Sequence, residues 1–119
     1  MGVLVLIVDD DERNARLARD VLEQAGIRTL IAGTAQEGID LARTNQPDVV
    51  LMDLRLPDSD GAVAARRLAA DPATAAIPVV ALSAIPTDEW EPHSAFAGYL
   101  EKPIDVRALP GQVRRYCGT

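Results

Sequence analysis

Short apolar runs alternate with stretches of helical period along the whole chain. The runs cover residues 3–8, 27–32, 49–52, 79–82 and 99–100. In the first, third and fourth, apolar residues fill consecutive positions rather than alternate ones, the pattern of strands buried on both faces of a parallel sheet. After the first run, Ala15, Ala18, Leu22 and Ala25 recur at helical spacing, Leu17 and Val21 widen the same face, and Gly26 follows as a stop. Thr34 and Glu37 form a capping box ahead of Ile39 and Ala42, and Asn45-Gln46-Pro47 ends this second helix. A third helix fits residues 62–70. Between Ser83 and Lys102 two prolines, Pro86 and Pro92, make a fourth helix, capped by Thr87, short or broken. A fifth helical element carries Val106, Leu109, Val113 and Tyr116. Pro110-Gly111 falls inside it, so the helix either runs through or restarts with Pro110 as its first residue, leaving 105–109 as a turn. Strand and helix thus alternate five times, which predicts a five-stranded parallel sheet with helices on both faces.

The 119 residues suit one domain spanning 1–119, and 48% hydrophobic content supplies a core without disulfides or a structural metal. Eighteen acidic residues against 12 basic ones, a formal charge of −6, argue against direct binding of a nucleic-acid backbone. Cys117 is the one cysteine, so no internal disulfide and no Cys/His metal cluster can form, and a reducing cytoplasm is the natural setting. No apolar run approaches the roughly 20 residues of a membrane span. The first residues lack a basic flank and a cleavage site, and Leu6 stands where a myristoylation signal needs Ser or Thr. A soluble cytoplasmic protein is expected.

Ligands of open α/β sheets bind beyond the carboxyl ends of the strands. Asp9, Asp10, Asp11 and Glu12 follow the first strand, Asp53 ends the third, Ser83-Ala84 ends the fourth, and Lys102-Pro103 follows the fifth. Carboxylates a few ångströms apart repel by roughly 4 kcal/mol per pair at an effective dielectric near 20, so the site needs positive charge. Lys102 supplies one; a hard cation such as Mg²⁺, bound by carboxylates, water and a substrate phosphate, would supply more. Asp11 and Glu12 have a simpler reading, favouring the N-terminus of the first helix through its dipole, and Asp9 or Asp10 alone could do the same. Ser83 alone is an ordinary strand-end hydroxyl and Lys102 alone a solvated charge; their joint placement after four strands is what points to a site.

Four motifs stand in order: Val8-Asp9-Asp10-Asp11; Val50 to Pro57 with Asp60-Gly61; Val79 to Ala84; and Gly98-Tyr99-Leu100-Glu101-Lys102-Pro103. Over nearly the whole chain the sequence resembles the receiver domain of two-component response regulators, of the single-domain chemotaxis or cell-cycle type. The resemblance implies a flavodoxin-like (βα)5 three-layer sandwich with strand order 2-1-3-4-5. It implies that Asp53 accepts phosphoryl from a sensor histidine kinase or a histidine phosphotransfer protein. It further implies that Asp10, Asp53 and the Arg55 carbonyl hold Mg²⁺ directly and Asp9 through water, and that Ser83 and Lys102 contact the phosphoryl oxygens. Ser83 and Tyr99 would be the switch residues, and the bond before Pro103 would be cis. On this view the protein is a phosphoacceptor that assists its own phosphorylation and dephosphorylation rather than an enzyme, and a monomer or weak dimer. Tyr99 can also be read as an amphipathic aromatic at a sheet edge.

The span from Ser83 to Lys102 is shorter than the family's usual spacing, which suggests output through a remodelled face exposing Trp90. His93 reads as a surface residue. Two variants stay within signalling: a receiver module of a hybrid histidine kinase, or a pseudo-receiver that binds partners without phosphorylation. An aspartyl-phosphate hydrolase would want a second Asp two residues after Asp53, where Arg55 stands, and a flavin-binding module would want hydroxyls where Asp9 to Glu12 stand.

Overall fold

The computed structural model describes residues 2–83 and 95–117. The fourth predicted helix with its Thr87 cap, Trp90 and His93 lie outside the described residues.

Five strands form one parallel sheet in the order β2-β1-β3-β4-β5: β1 (Leu4–Val8), β2 (Arg28–Ala32), β3 (Val49–Asp53), β4 (Val79–Ser83) and β5 (Gly98–Glu101). This is the expected doubly wound arrangement. Every residue of β3 and β4 is buried, in keeping with their unbroken apolar runs. The register sets Val8 beside Met52, Asp53 beside Leu82 and Ser83 beside Glu101, so the strands finish nearly level.

Alternating side chains along each strand feed two cores. On one face Leu6, Val8, Val50, Met52 and Ala81 pack with α2 (Ala35–Asn45) and α3 (Gly61–Ala70). On the other, Val5, Ile7, Leu51, Val80 and Leu82 pack with α1 (Glu12–Gln24) and α4 (Leu109–Tyr116).

Ala15, Ala18 and Leu22 of α1 are buried as their spacing predicts, but Leu17 is 43% exposed. At about 100° per residue Leu17 lies roughly 120° from the centre of that face, too far round to reach the sheet. Thr34 caps α2 by accepting from the Glu37 N–H at 3.1 Å. The Glu37 carboxylate reaches back to the Gly33 N–H at 3.1 Å instead of to the cap residue itself, so the box is closed one residue early. Gln46 then ends the helix in the left-handed conformation, φ 50°.

The last helix starts at Leu109 with Pro110 in its first turn, where a missing N–H costs nothing. Ahead of it Asp105 organises a turn: its Oδ1 accepts from Arg107 and Ala108, and its carbonyl from Leu109 at 2.9 Å. Val106 belongs to this turn and is 45% exposed, not part of the helical face assigned to it by spacing. Arg114 of α4 donates to the Ala25 carbonyl at 2.8 Å, tying the helix to the end of α1.

Candidate functional site

Because the parallel strands end together, β1, β3, β4 and β5 deliver Asp9-Asp10, Asp53, Ser83 and Lys102 to one edge of the sheet. Asp9 and Asp53 are 2% and 8% exposed, Ser83 is 4% exposed, and Asp10 faces solvent. One carboxylate oxygen from each of Asp9, Asp10 and Asp53 falls within 4.8 Å of the others. The Lys102 ammonium sits 3.2 Å from Asp53 Oδ2 and 3.5 Å from Asp9 Oδ2. A single lysine against three carboxylates leaves this cluster net negative.

The second oxygens of Asp9 and Asp53 each hold a backbone N–H. Asp9 Oδ1 accepts from the Asp11 N–H at 2.9 Å, and Asp53 Oδ1 from the Arg55 N–H at 3.1 Å. Asp9 Oδ2 is buried with no hydrogen bond, its pairing with Lys102 being ionic only. Burial pushes the Asp9 carboxyl above its ordinary range; the Asp11 N–H and Lys102 pull the other way, and the Asp53 charge adds to the rise. An all-oxygen donor set, excess negative charge and a buried oxygen without a hydrogen bond together suit a hard divalent cation such as Mg²⁺.

Lys102 is placed by its own backbone, whose N–H donates to the Ser83 carbonyl at 2.7 Å, and the following bond to Pro103 is cis. Tyr99 pairs with Ala81 in the sheet and lies partly buried against the α2/α3 core. Asp11 caps α1, its Oδ1 accepting from Arg13 and Asn14, and Glu12 pairs loosely with Arg16 at 3.8 Å on the surface. These two serve the helix end, as the dipole reading has it.

The Asp60-Gly61 motif marks the segment after Asp53 in the sequence, but what that segment touches is visible only in the fold. Gly61 opens α3 so close to β3 that a Cβ would fall 2.2 Å from the Asp53 carbonyl oxygen. Asp60 caps α3 through the Ala62 N–H at 2.7 Å. Asp58 reaches across to α2, accepting from Ala35 at 2.8 Å and Gln36 at 3.1 Å. The run Pro57-Asp58-Ser59-Asp60-Gly61 signals a turn, but nothing local in it names a partner 23 residues upstream.

Comparison with known proteins agrees with this geometry. Residues 5–114 match the family model of the response regulator receiver domain. The polar-differentiation response regulator DivK of Brucella ovis is 35% identical over 117 residues, covering 96% of this chain and 95% of its own. The receiver domain of the sensor histidine kinase PA1611 from Pseudomonas aeruginosa, whose structure holds a magnesium ion in the active site cleft, superposes with a TM-score of 0.87 at 28% identity, with both chains covered completely. A sensor protein from Polaromonas sp. JS666 gives a TM-score of 0.89 at 28% identity over 98% of this chain and 96% of its own. With the fold, the acidic edge and these matches in agreement, the chain belongs to the response regulator receiver domain family.

Proposed function

We propose that residues 1–119 act as one receiver unit whose Asp53 accepts a phosphoryl group from a phosphohistidine on a sensor histidine kinase or phosphotransfer protein, in the cytoplasm. The observation that carries this reading is the placement of the Lys102 ammonium between two buried carboxylates, 3.2 Å from Asp53 and 3.5 Å from Asp9. In the transfer, one Asp53 oxygen forms the new O–P bond as the P–N bond of the donor breaks, and the electron pair of that bond returns to the imidazole.

Little covalent help is needed; positioning and charge neutralisation carry such a reaction. Asp53 is held for attack by the Arg55 N–H on Oδ1 and by Lys102 beside Oδ2. Lys102 would pass from the carboxylate to an incoming phosphoryl oxygen, and the buried Ser83 at the end of β4 would bind another. Asp9, Asp10, Asp53 and the Arg55 carbonyl would hold Mg²⁺. The bound ion would neutralise the charge shared by carboxylates and phosphoryl oxygens. A phosphoryl group adds about −1.5 to −2 charges to the edge. Ser83 and Tyr99 would respond, with Tyr99 moving within the α2/α3 side of β5 and changing the surface offered to a protein partner.

The test is intact-mass measurement after incubation with acetyl phosphate, with and without Mg²⁺, on wild type and Asp53→Asn. A Mg²⁺-dependent gain of one phosphoryl group, absent from the variant, is expected. No gain where a control receiver is labelled would make the chain a binding module that keeps the fold without the chemistry.

A further inference from the structure

The segment between Asp53 and α3 closes on itself. The Gly61 N–H donates to the Leu54 carbonyl at 2.9 Å, Arg55 bridges to Asp60 in antiparallel fashion, and the Leu56 N–H donates to the Ser59 carbonyl at 3.2 Å. These bonds fix the shape of the segment, Leu54 and Leu56 pack partly buried against the α2/α3 core, and Asp58 makes the polar tie across to α2. Arg55, in its first half, supplies the N–H that holds Asp53 Oδ1.

At the tip of this small hairpin, the Asp58 carboxylate spends both oxygens on one helix start, one on the Ala35 N–H and one on the Gln36 N–H. Charge-assisted bonds of this kind are among the stronger ones, and the helix dipole adds to them. The two N–H groups draw the Asp58 carboxyl below its ordinary range. The helix does not depend on Asp58 for its whole cap, because Thr34 already serves the Glu37 N–H. α2 is itself seated tightly on β1: a Cβ at Gly38 would fall 2.7 Å from a Val8 methyl, and Val8 directly precedes Asp9-Asp10. A bidentate strut therefore runs from the hairpin that orients Asp53 to the helix packed on the strand that presents Asp9 and Asp10.

We infer that Asp58 is a positioning residue of the acceptor site, holding the 54–60 segment so that the Arg55 backbone stays on Asp53 in register with Asp9 and Asp10. This rests on the function proposed above. A residue that merely capped α2 would affect stability alone.

The experiment compares Asp58→Ala and Asp58→Asn with Thr34→Ala, which removes a cap from the same turn without touching the hairpin. Three readouts are taken: the melting temperature, the hydrogen-exchange rate of the Arg55 amide without Mg²⁺, and Mg²⁺ affinity by calorimetry. Asp58→Ala is expected to speed Arg55 exchange and weaken Mg²⁺ binding about tenfold, in the range seen when groups supporting a metal ligand are removed. Asp58→Asn, which keeps one acceptor oxygen, should fall between it and wild type. Thr34→Ala should lower the melting temperature and leave the other two readouts unchanged. Loss of stability in Asp58→Ala with unaltered Arg55 exchange overturns the inference. If wild type binds no Mg²⁺ and takes up no phosphoryl group, the functional reading fails, and the Arg55 exchange rate still decides the role of Asp58.

Discussion

Three glycines stand inside helices, and the structure sets three different outcomes for replacing them with alanine. In an unencumbered helix Gly→Ala stabilises by roughly 0.5–1 kcal/mol, chiefly because the unfolded chain loses freedom. Gly111 in α4 has nothing within 4 Å of where a Cβ would stand, so Gly111→Ala should show that full gain. At Gly61 the new Cβ would meet the Asp53 carbonyl oxygen at 2.2 Å, the Leu54 Cα at 2.9 Å and the Asp53 carbonyl carbon at 3.0 Å. Those distances are far inside the about 3.5–4.0 Å of a favourable non-bonded contact. The obstructing atoms are backbone of the buried last residue of β3 and of the residue after it, so they cannot rotate away as a side chain could. Overpacking of this kind costs about 1–3 kcal/mol and outweighs the propensity gain. Gly38 is intermediate, because its obstruction is the Val8 side chain at 2.7 Å and 3.1 Å, which can turn at the price of its rotamer. Urea unfolding of the three variants, followed by far-UV circular dichroism with a common m-value, gives the differences directly. The expected order of stability is Gly111→Ala above wild type, Gly38→Ala below it, and Gly61→Ala lowest. Because the strain at Gly61 falls on the acceptor's own backbone, Gly61→Ala should also slow labelling by acetyl phosphate. A Gly61→Ala protein as stable as wild type would refute the reasoning, since α3 could not then lie where it does.

Asp9→Asn should raise the melting temperature at neutral pH, because the buried carboxyl has its pKa raised above the ordinary 3.8 and its charged form is disfavoured in the fold. The folded protein holds that proton to higher pH than the unfolded chain does, so the wild-type contribution declines as pH rises from 3.8 through the folded value, and the variant abolishes that decline. The same variant should gain less from added Mg²⁺; thermal melts with and without the ion check both points. Asp58 carries the opposite sign: its pKa lies below the ordinary 3.8, so its stabilisation is complete above that value and is lost as pH falls through the folded one. The gap in melting temperature between wild type and Asp58→Ala should therefore be constant near neutrality and close in acid. Thr74→Val should cost about 0.5–1.5 kcal/mol in urea unfolding, because the buried Thr74 hydroxyl donates to the Leu68 carbonyl at 2.6 Å at the end of α3 and valine leaves that carbonyl only the longer bond from the Asp71 N–H at 3.4 Å.

The sequence by itself determined the sheet and the composition of its edge. Unbroken apolar runs such as Val49 to Met52 and Val79 to Leu82 can be satisfied only by burial on both faces, and the βα alternation then leaves one family of topologies. Once the strands are parallel, the residues after each run, Asp9, Asp10, Asp53, Ser83 and Lys102, must share an edge, so spacing alone was enough to gather them. Local capping at Thr34 was equally legible, because its partner lies within one turn. Other features depended on contacts between segments remote in sequence. Leu17 and Val106 are apolar but lie beyond the faces that the sheet covers, and hydrophobicity alone does not state which side of a helix or turn will find a neighbour. The Lys102 ammonium between Asp9 and Asp53, the buried Asp9 oxygen without a hydrogen bond and the raised Asp9 pKa follow from ångström-scale distances between strands. Asp58 on α2 and Gly61 on the Asp53 backbone belong to the same class. Periodicity reports which side of an element is buried; which atoms meet there is decided when the helices dock on the sheet, because that step fixes the relative positions of segments the chain order leaves apart.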